Sequence, residues 1–210
     1  MSLPVIVLGG GGHAKVLLDT LLIQNISVLG FTDPKPEVVL NHVLGIQFLG
    51  NDDVVGDYHP DSLGLVNGLG SLRVPVARKR LFDQFKDRGY SFASVIHPSA
   101  VIARDVVLSE GIQIMAGAVI QPGSSIGKNT IINTKASVDH DCVIGEHAHL
   151  APGVTLSGGV HVGDGVHIGT GATVIQGVRI GNNSIIGAGA LVLKEVPEGV
   201  TVVGVPAKEV

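Results

Sequence analysis

Aliphatic residues recur every six positions along the second half of the chain. From Ile96 to Val192, all seventeen positions reached by steps of six carry isoleucine, leucine or valine. The position four residues after each of them is mostly small or valine, so large and small apolar residues alternate. A fixed six-residue period is typical of a parallel β-helix, in which short strands stack coil on coil. The pattern therefore predicts such a helix over about residues 95–195.

Glycine follows the aliphatic residue in several of these hexads, as at Gly127, Gly145 and Gly163. We expect a tight corner there, which needs a backbone free of Cβ clashes. The hexads resemble those of the left-handed β-helix transferases with hexapeptide repeats. That resemblance implies three hexads, or eighteen residues, in each triangular coil. Residues eighteen apart should then stack about 4.8 Å from each other.

The first ninety residues show a different pattern. Apolar runs predict three strands, and two amphipathic stretches predict helices, which together make a three-stranded α/β unit: strands Val5–Leu8, Ser27–Phe31 and Leu63–Val66, and helices Ala14–Leu22 and about Val76–Arg88. The chain is thus predicted to hold a Rossmann-like half-domain over 1–90 and a β-helix domain with a C-terminal tail over 91–210.

A glycine turn joins the first predicted strand to the first helix. Free N–H groups at a helix start, approached through glycine, favour a phosphate. Carboxylates about twenty residues further on often meet a ribose or base in such units. A plain structural turn is the alternative. The predicted substrate-binding residues are Gly9, Gly10, Gly11, Gly12, His13, Asp33, Lys35, Asn67 and Gly68. The unit is half the size of a dinucleotide fold, so a nucleoside diphosphate fits better than NAD.

The composition of the chain argues against several classes of protein. The 210 residues carry a formal net charge of −4 without a basic stripe, which argues against nucleic-acid binding. No apolar run is long enough for a membrane span, and the N-terminus does not look like a signal peptide. A single cysteine, Cys142, excludes an intrachain disulfide framework and favours the cytoplasm. The flat sides of a β-helix predict oligomers, with a monomer of polar sides as the alternative.

The densest set of proton-transfer groups surrounds His140, in the sequence Asp139-His-Asp-Cys142. His140 comes two residues after the aliphatic Val138, so it should leave the coil near a corner. One coil further on is Gly158, which would leave open space and an N–H donor for an oxyanion. An imidazole is the usual general base near neutral pH. A surface histidine beside flexible glycines is the alternative.

Several motifs, spread over essentially the whole chain, point to one branch of the transferases with hexapeptide repeats. They are the glycine turn, the acid at Asp33, Asn67-Gly68, the acid-flanked His140, His149, and the ending Gly204-Val-Pro-Ala-Lys208. In this order they resemble the bacterial nucleotide-sugar N-acetyltransferases of the bacillosamine and perosamine pathways and the related sialic-acid O-acetyltransferases. The sequence departs from that pattern at Lys35, where relatives often carry a further acid.

The resemblance implies a homotrimer that transfers an acetyl group from acetyl-CoA to the 4-amino group of a nucleotide-linked 4-amino-4,6-dideoxy sugar. UDP is favoured as the nucleotide, with GDP as the alternative. His140 would be the base, Asp141 would orient it, and the amide of Gly158 would face the thioester oxygen. His149 would lie by the CoA with His167 stacked on it. Lys208, and less strongly Lys194, would meet the CoA phosphates.

Three other functions stay open. One is sialic-acid-type O-acetylation, and another is a non-catalytic nucleotide-sugar sensor. The third is a zinc enzyme resembling the γ-type carbonic anhydrases, because His149 and His167 should stack with His147 and His161 nearby. A catalytic zinc site normally needs three well-placed protein ligands, so no metal is expected here.

Overall fold

The computed structural model describes residues 3–35 and 42–210, without the side chain of His42. The chain forms two compact units. The first contains the described residues up to Gly70 together with Ala77–Val95, and the second contains Ser71–Val76 with Ile96–Val210. The short segment Ser71–Val76, predicted as part of the first domain, thus packs with the second unit. Among the described residues, no helix has the length and apolarity that crossing a bilayer requires.

In the described part of the chain, the first unit has an α/β fold with one β-sheet and two α-helices. Its elements are β1 (Val5–Leu8), α1 (Gly12–Ile23), β2 (Val28–Thr32), β3 (His42–Val43), β4 (Ile46–Gly50), two 3₁₀ segments (Asp52–Asp57 and Pro60–Ser62), β5 (Gly64–Asn67), α2 (Val76–Asp87) and β6 (Ser91–Phe92). The strands form one sheet in the order β3-β4-β2-β1-β5-β6. Its central strand β1 is parallel to both β2 and β5, so the segments that follow these strands leave the same edge of the sheet.

The predicted three-stranded sheet is wrong in strand number, because the structure adds β3, β4 and β6. β4 runs parallel to β2, and the rings of Phe31 and Phe48 lie 5.6 Å apart across this pair. β6 extends the other side, with Phe92 stacked on Phe82 of α2 at 4.4 Å. These strands have two to five residues, too few for a hydrophobic period to stand out.

The second unit begins with seventeen two-residue strands at six-residue intervals. They are β7 (Val95–Ile96), β8 (Val101–Ile102), β9 (Val107–Leu108), β10 (Gln113–Ile114), β11 (Val119–Ile120), β12 (Ser125–Ile126), β13 (Ile131–Ile132), β14 (Ser137–Val138), β15 (Val143–Ile144), β16 (His149–Leu150), β17 (Thr155–Leu156), β18 (His161–Val162), β19 (His167–Ile168), β20 (Thr173–Val174), β21 (Arg179–Ile180), β22 (Ile185–Ile186) and β23 (Leu191–Val192). β24 (Thr201–Val203) and β25 (Lys208–Glu209) close the chain as an antiparallel pair.

Every third strand belongs to the same sheet, so three parallel sheets form the sides of the coil. The first sheet runs from β7 to β22 and continues into β24 and β25, the second from β8 to β23, and the third from β9 to β21. Ile120 pairs with Val138, and Val138 pairs with Leu156. The vertical repeat is therefore eighteen residues, as predicted.

The interior of the coil is filled by the second residue of each strand and by small residues from the corners. Ile132, Val138 and Ala136 are buried with no exposed surface. Cys142 is one of the small interior residues, as predicted, and burial raises the pKa of its thiol. Because these interior residues are closely packed, a strand cannot slip along its neighbour. The strand register therefore fixes where each corner lies.

The prediction that a tight turn requires the glycines after the aliphatic residues is wrong, because the structure shows a different constraint at these positions. A Cβ added to Gly145 would lie 2.7 Å from the backbone nitrogen of Asp164 on the next coil. These glycines therefore allow neighbouring coils to approach each other. The left-handed backbone conformation occurs two residues later, at His147 (φ +57°) after Gly145 and at Gly165 (φ +65°) after Gly163.

Candidate active site

His140 lies at the corner between β14 and β15, as the hexad register predicts. Its side chain is 54% exposed, and its Nδ1 lies 2.8 Å from Asp141 Oδ2. Because a carboxylate only accepts, Nδ1 carries the proton in this bond, and the lone pair of the neutral ring is on Nε2. The hydrogen bond with Asp141, with smaller contributions from the charges of Asp139 and Asp141, raises the pKa of His140. The pair can therefore take up a proton at Nε2.

Gly158 lies one coil beyond His140 and against its ring. A Cβ added to Gly158 would be 2.5 Å from both Cε1 and Nε2 of His140. The N–H of Gly159 donates to the carbonyl oxygen of His140 over 2.8 Å, which fixes the two corners together. Gly158 is itself buried, and among the described residues its N–H has no acceptor. A buried N–H is normally paired, so this donor is available to a ligand at the corner.

A second group of polar side chains lies on the first sheet and the corner that follows it. His149 Nε2 lies 3.1 Å from Asn133 Nδ2, and His149 Nδ1 lies 2.9 Å from Ser71 Oγ and 3.0 Å from the Ser71 carbonyl oxygen. The Thr134 N–H donates to Asn133 Oδ1 over 2.8 Å, so the Asn133 amide faces His149 with its NH₂ group. His149 Nε2 therefore accepts, and its Nδ1–H donates to Ser71.

His167 neighbours His149 as predicted, with ring centroids 5.1 Å apart in an edge-to-face arrangement. The two residues are 6% and 7% exposed, so little of either ring can touch a ligand. Nδ1 of His167 is buried without a hydrogen-bond partner among the described residues. Burial lowers the pKa of His167, which keeps this ring neutral.

His140 and His149 do not form one cluster within the chain. They are nine residues apart, which is half of the eighteen-residue coil, and they belong to different sides of it. Asn133 lies at the corner between β13 and β14, and His140 lies at the next corner along the same coil. His140 with Gly158 and His149 with His167 thus form two separate groups.

The glycine turn of the first unit is partly occupied by Asp33. Its Oδ2 accepts the Gly10 N–H over 2.9 Å, and its Oδ1 accepts the backbone N–H of Lys35, also over 2.9 Å. Gly11 and Gly12 are exposed, and a Cβ added to either would meet nothing within 4 Å in the described part of the chain. Among the described residues no side chain caps the start of helix α1, which leaves the backbone N–H groups of Gly11 and Gly12 for an anion.

Asn67 and Gly68 were predicted to contact the substrate, but the structure uses them inside the fold. Asn67 is 1% exposed, its Nδ2 donates to the Arg78 carbonyl over 3.0 Å, and its Oδ1 accepts the Leu69 N–H over 3.2 Å. A Cβ added to Gly68 would lie 2.7 Å from the Leu8 carbonyl oxygen. These residues shape the loop after β5 because they pack it against β1 and α2.

The remaining predicted binding residues lie at the surface of their units. His13 is the second residue of α1 and is half-buried, and Lys35 is exposed. Lys208 is exposed on β25, and Lys194 is exposed at the corner after β23. Lys194 lies fifty-four residues, or three coils, beyond His140 in the same column of corners. Strand spacing places it about 14 Å along the column.

Sequence reasoning missed Ser71 and Asn133. Ser71 lies seventy-eight residues from His149, and nothing in the local sequence connects them. Asn133 could have been predicted from the hexad pattern. It follows the aliphatic Ile132 directly, and a polar side chain stands out at a position that is glycine in several other hexads.

The described residues contain no group of three His, Cys, Asp or Glu side chains placed to hold a metal ion within the chain. Nδ1 of His147 lies 2.9 Å from Asn129 Nδ2, and Nδ1 of His161 lies 3.1 Å from the Gly159 carbonyl oxygen. Within the described part of one chain, the zinc alternative therefore has no set of three ligands.

Comparison with known proteins matches both units to established families. Residues 4–85 match the PglD N-terminal domain, and residues 123–158 and 159–194 match the bacterial transferase hexapeptide repeats. The chain is 40% identical to a histidine-to-asparagine variant of perosamine N-acetyltransferase from Caulobacter crescentus, solved with CoA and GDP-perosamine. That match covers 99% of this chain and 96% of the other, with a TM-score of 0.92. The chain belongs to the hexapeptide-repeat family of nucleotide-sugar N-acetyltransferases.

Two further solved structures support this family over their full length. The acetyltransferase domain of PglB from Neisseria gonorrhoeae, in complex with acetyl coenzyme A, is 30% identical, with a TM-score of 0.93 and 100% coverage of both chains. WeeI from Acinetobacter baumannii is 29% identical, with a TM-score of 0.89 and the same coverage. Membership confirms the predicted resemblance and the left-handed sense of the β-helix. It also confirms the enzyme class, an acetyl-CoA-dependent N-acetyltransferase.

Proposed function

We propose that the protein transfers an acetyl group from acetyl-CoA to the 4-amino group of a nucleotide-linked 4-amino-4,6-dideoxy sugar, for surface glycan or glycoprotein biosynthesis. The observation that carries this proposal is the His140–Asp141 pair beside the buried N–H of Gly158, which has no acceptor among the described residues. A base and an oxyanion donor on adjacent coils are what acyl transfer from a thioester to an amine requires.

In the proposed reaction the neutral sugar amine attacks the thioester carbon, and a carbon–nitrogen bond forms. His140 Nε2 takes the proton that the nitrogen must lose, while Asp141 stabilises the resulting imidazolium through Nδ1–H. The Gly158 N–H donates to the carbonyl oxygen as it becomes negatively charged. Collapse of the tetrahedral intermediate breaks the carbon–sulfur bond, and the imidazolium returns its proton to the departing CoA thiolate.

Acetyl-CoA is proposed to lie along the column of corners that begins at His140. The corner residues above it are Gly158, Gln176 and Lys194, at eighteen-residue steps. The two small or uncharged positions leave room for the pantetheine arm, and Lys194 at about 14 Å matches the reach of that arm to the diphosphate. Lys194 is therefore a better candidate for the phosphates than Lys208, which the sequence analysis preferred.

The nucleotide sugar is proposed to bind the first unit, with its diphosphate at Gly11, Gly12 and the start of α1, and its ribose or base near Asp33. The perosamine relatives at 40% identity were solved with GDP-perosamine, which supports GDP ahead of the UDP that the sequence analysis favoured. We expect the reaction to take place in the cytoplasm, where acetyl-CoA is supplied.

We further propose a homotrimer in which acetyl-CoA lies between two copies. Val101 and Val107, on the outer faces of the second and third sheets, are 62% and 63% exposed, and such apolar sides favour association. The corner that holds His140 in one copy would face Asn133 and His149 of the next. Asn133 would make the contact with CoA, because it is half-buried whereas His149 is almost fully buried.

The shared site can be tested with mixed oligomers of His140→Ala and His149→Ala chains. An interface that joins an intact His140 to an intact His149 arises only in the mixture. We expect mixing by co-expression to raise kcat/KM for acetyl-CoA above the mean of the two parents. A kcat/KM of the mixture equal to the mean of the two parents would place the whole site in one chain, and so would a monomeric mass in solution.

The substrate can be tested by mass spectrometry of acetyl transfer to a panel of GDP-, UDP- and dTDP-linked 4-amino sugars, with sialic acid as the O-acetylation control. Transfer to a nucleotide-linked 4-amino sugar supports the proposal, and the fastest donor nucleotide decides between GDP and UDP. Transfer to sialic acid alone, or tight nucleotide-sugar binding without any transfer, would contradict it.

A further inference from the structure

Gly123 lies one coil before Asp141, at the same position of its hexad. A Cβ added to Gly123 would overlap Oδ1 of the Asp141 carboxylate. The other oxygen, Oδ2, is the one bonded to His140 Nδ1 at 2.8 Å. We propose that Gly123 is a positioning residue for the reaction, because its missing side chain leaves the space in which the carboxylate turns towards His140. This inference rests on the proposed role of His140 as the base.

The backbone on both sides of this space is held in place. The Gly123 N–H donates to Asp105 Oδ2 of the preceding coil over 3.0 Å, and the Asp141 N–H donates to the Pro122 carbonyl oxygen over 3.0 Å. Neither backbone can move away without loss of a hydrogen bond that ties adjacent coils. A side chain at position 123 would therefore displace the carboxylate rather than the coil.

The carboxylate can yield without unfolding the protein. The Asp141 side chain is 72% exposed, so it has solvent to swing into. Once it swings out, Oδ2 leaves Nδ1 of His140, and the hydrogen bond that chiefly raises the pKa of His140 is lost. The ring would then be free to rotate, and its base strength would fall.

A glycine at this position has a second possible cause, its left-handed backbone with φ of +76°. Gly171 separates the two causes, because it has the same hexad position and a φ of +67°, but a Cβ there would meet none of the described residues within 4 Å. Gly123→Ala and Gly171→Ala carry a similar backbone strain, and only the first one crowds Asp141. Gly171→Ala is thus the matched control.

The experiment compares Gly123→Ala, Gly171→Ala, Asp141→Ala and the double variant Gly123→Ala/Asp141→Ala. We expect Gly123→Ala to lower kcat at neutral pH by more than about threefold, beyond the roughly twofold scatter of independent sites. Its acidic limb of kcat should move to lower pH, as in Asp141→Ala, while Gly171→Ala matches the wild type. In the Asp141→Ala background, Gly123→Ala should change kcat by less than about twofold, because the group it acts on is gone.

The proposal is overturned if Gly123→Ala behaves like Gly171→Ala, or if its effect persists in full without Asp141. An unfolded Gly123→Ala beside a folded Gly171→Ala also overturns it, because the coil rather than the carboxylate would then have yielded. Histidine NMR titration separates this inference from the proposed reaction. A lowered pKa of His140 in Gly123→Ala supports the positioning even if His140→Ala proves to be active.

Discussion

Asp141 holds the proton of His140 on Nδ1, through a hydrogen bond of 2.8 Å to Oδ2. This bond is the main reason why the pKa of His140 is raised, and it leaves the lone pair of the neutral ring on Nε2. A base works only when it is unprotonated, so activity should fall as the pH drops through the raised pKa of His140. The pH profile of kcat therefore reports on this pair.

Asp141→Asn should move the acidic limb of the kcat profile to lower pH, because a neutral amide stabilises the imidazolium less than a carboxylate does. The plateau should also fall, since Asn no longer fixes the tautomer with a charged acceptor. The measurement is kcat at saturating substrates from about pH 5 to pH 9. A limb that stays in place or moves to higher pH would show that Asp141 does not set the basicity of the catalytic group.

His149→Ala should raise KM for acetyl-CoA while kcat changes little, because His149 orients Asn133 from beneath. Loss of one hydrogen bond typically costs about 0.5–1.5 kcal/mol, so an increase of roughly 2- to 10-fold is expected. Ser71→Ala should have a smaller effect, since the Ser71 carbonyl still accepts from Nδ1. Initial rates at varied acetyl-CoA provide the test. A drop in kcat with unchanged KM would contradict this assignment.

Gly11→Val should raise KM for the nucleotide sugar without unfolding the first unit. Gly11 has an extended backbone (φ −78°), which valine can adopt, and among the described residues a Cβ there would meet nothing within 4 Å. The new side chain would occupy the space assigned to the diphosphate. Thermal unfolding and KM for acetyl-CoA serve as controls and should match the wild type. An unchanged nucleotide-sugar KM would place the diphosphate elsewhere.

Acid should destabilise the protein partly through His167, because burial lowers its pKa. The unfolded chain then binds this proton more readily than the folded chain, so stability falls as the pH drops below the ordinary value of 6.5. His167→Gln should reduce the loss of Tm between pH 7 and pH 5 relative to the wild type. The measurement is Tm by calorimetry from pH 7 to pH 5. An identical pH dependence of Tm in the wild type and in His167→Gln would refute the role of His167.

The hexad period could predict the corner site because the backbone ladder of a β-helix leaves little freedom. Once Val138 is assigned to the interior, the exposure of His140 and its place beneath Gly158 follow from the register. The same argument correctly stacked His149 on His167. Here a periodic sequence determines three-dimensional neighbours through hydrogen bonds that recur every eighteen residues.

Periodicity could not predict contacts made by irregular segments. Ser71 reaches His149 from a loop without a repeat, and Asn67 has the appearance of a ligand although Arg78 and Leu69 satisfy its side chain. The strands β3 and β6 have only two residues each, so their pairing depends on the sheet edges rather than on local propensity. Polar residues at strand ends thus need tertiary information to distinguish binding from packing.

Whether His140 is the general base of acetyl transfer is decided by kcat of His140→Ala at neutral pH with both substrates saturating. General-base catalysis typically contributes about 10²- to 10⁴-fold, so kcat should fall within that range while both KM values stay nearly unchanged. A His140→Ala enzyme that keeps more than about a third of the wild-type kcat would contradict the claim.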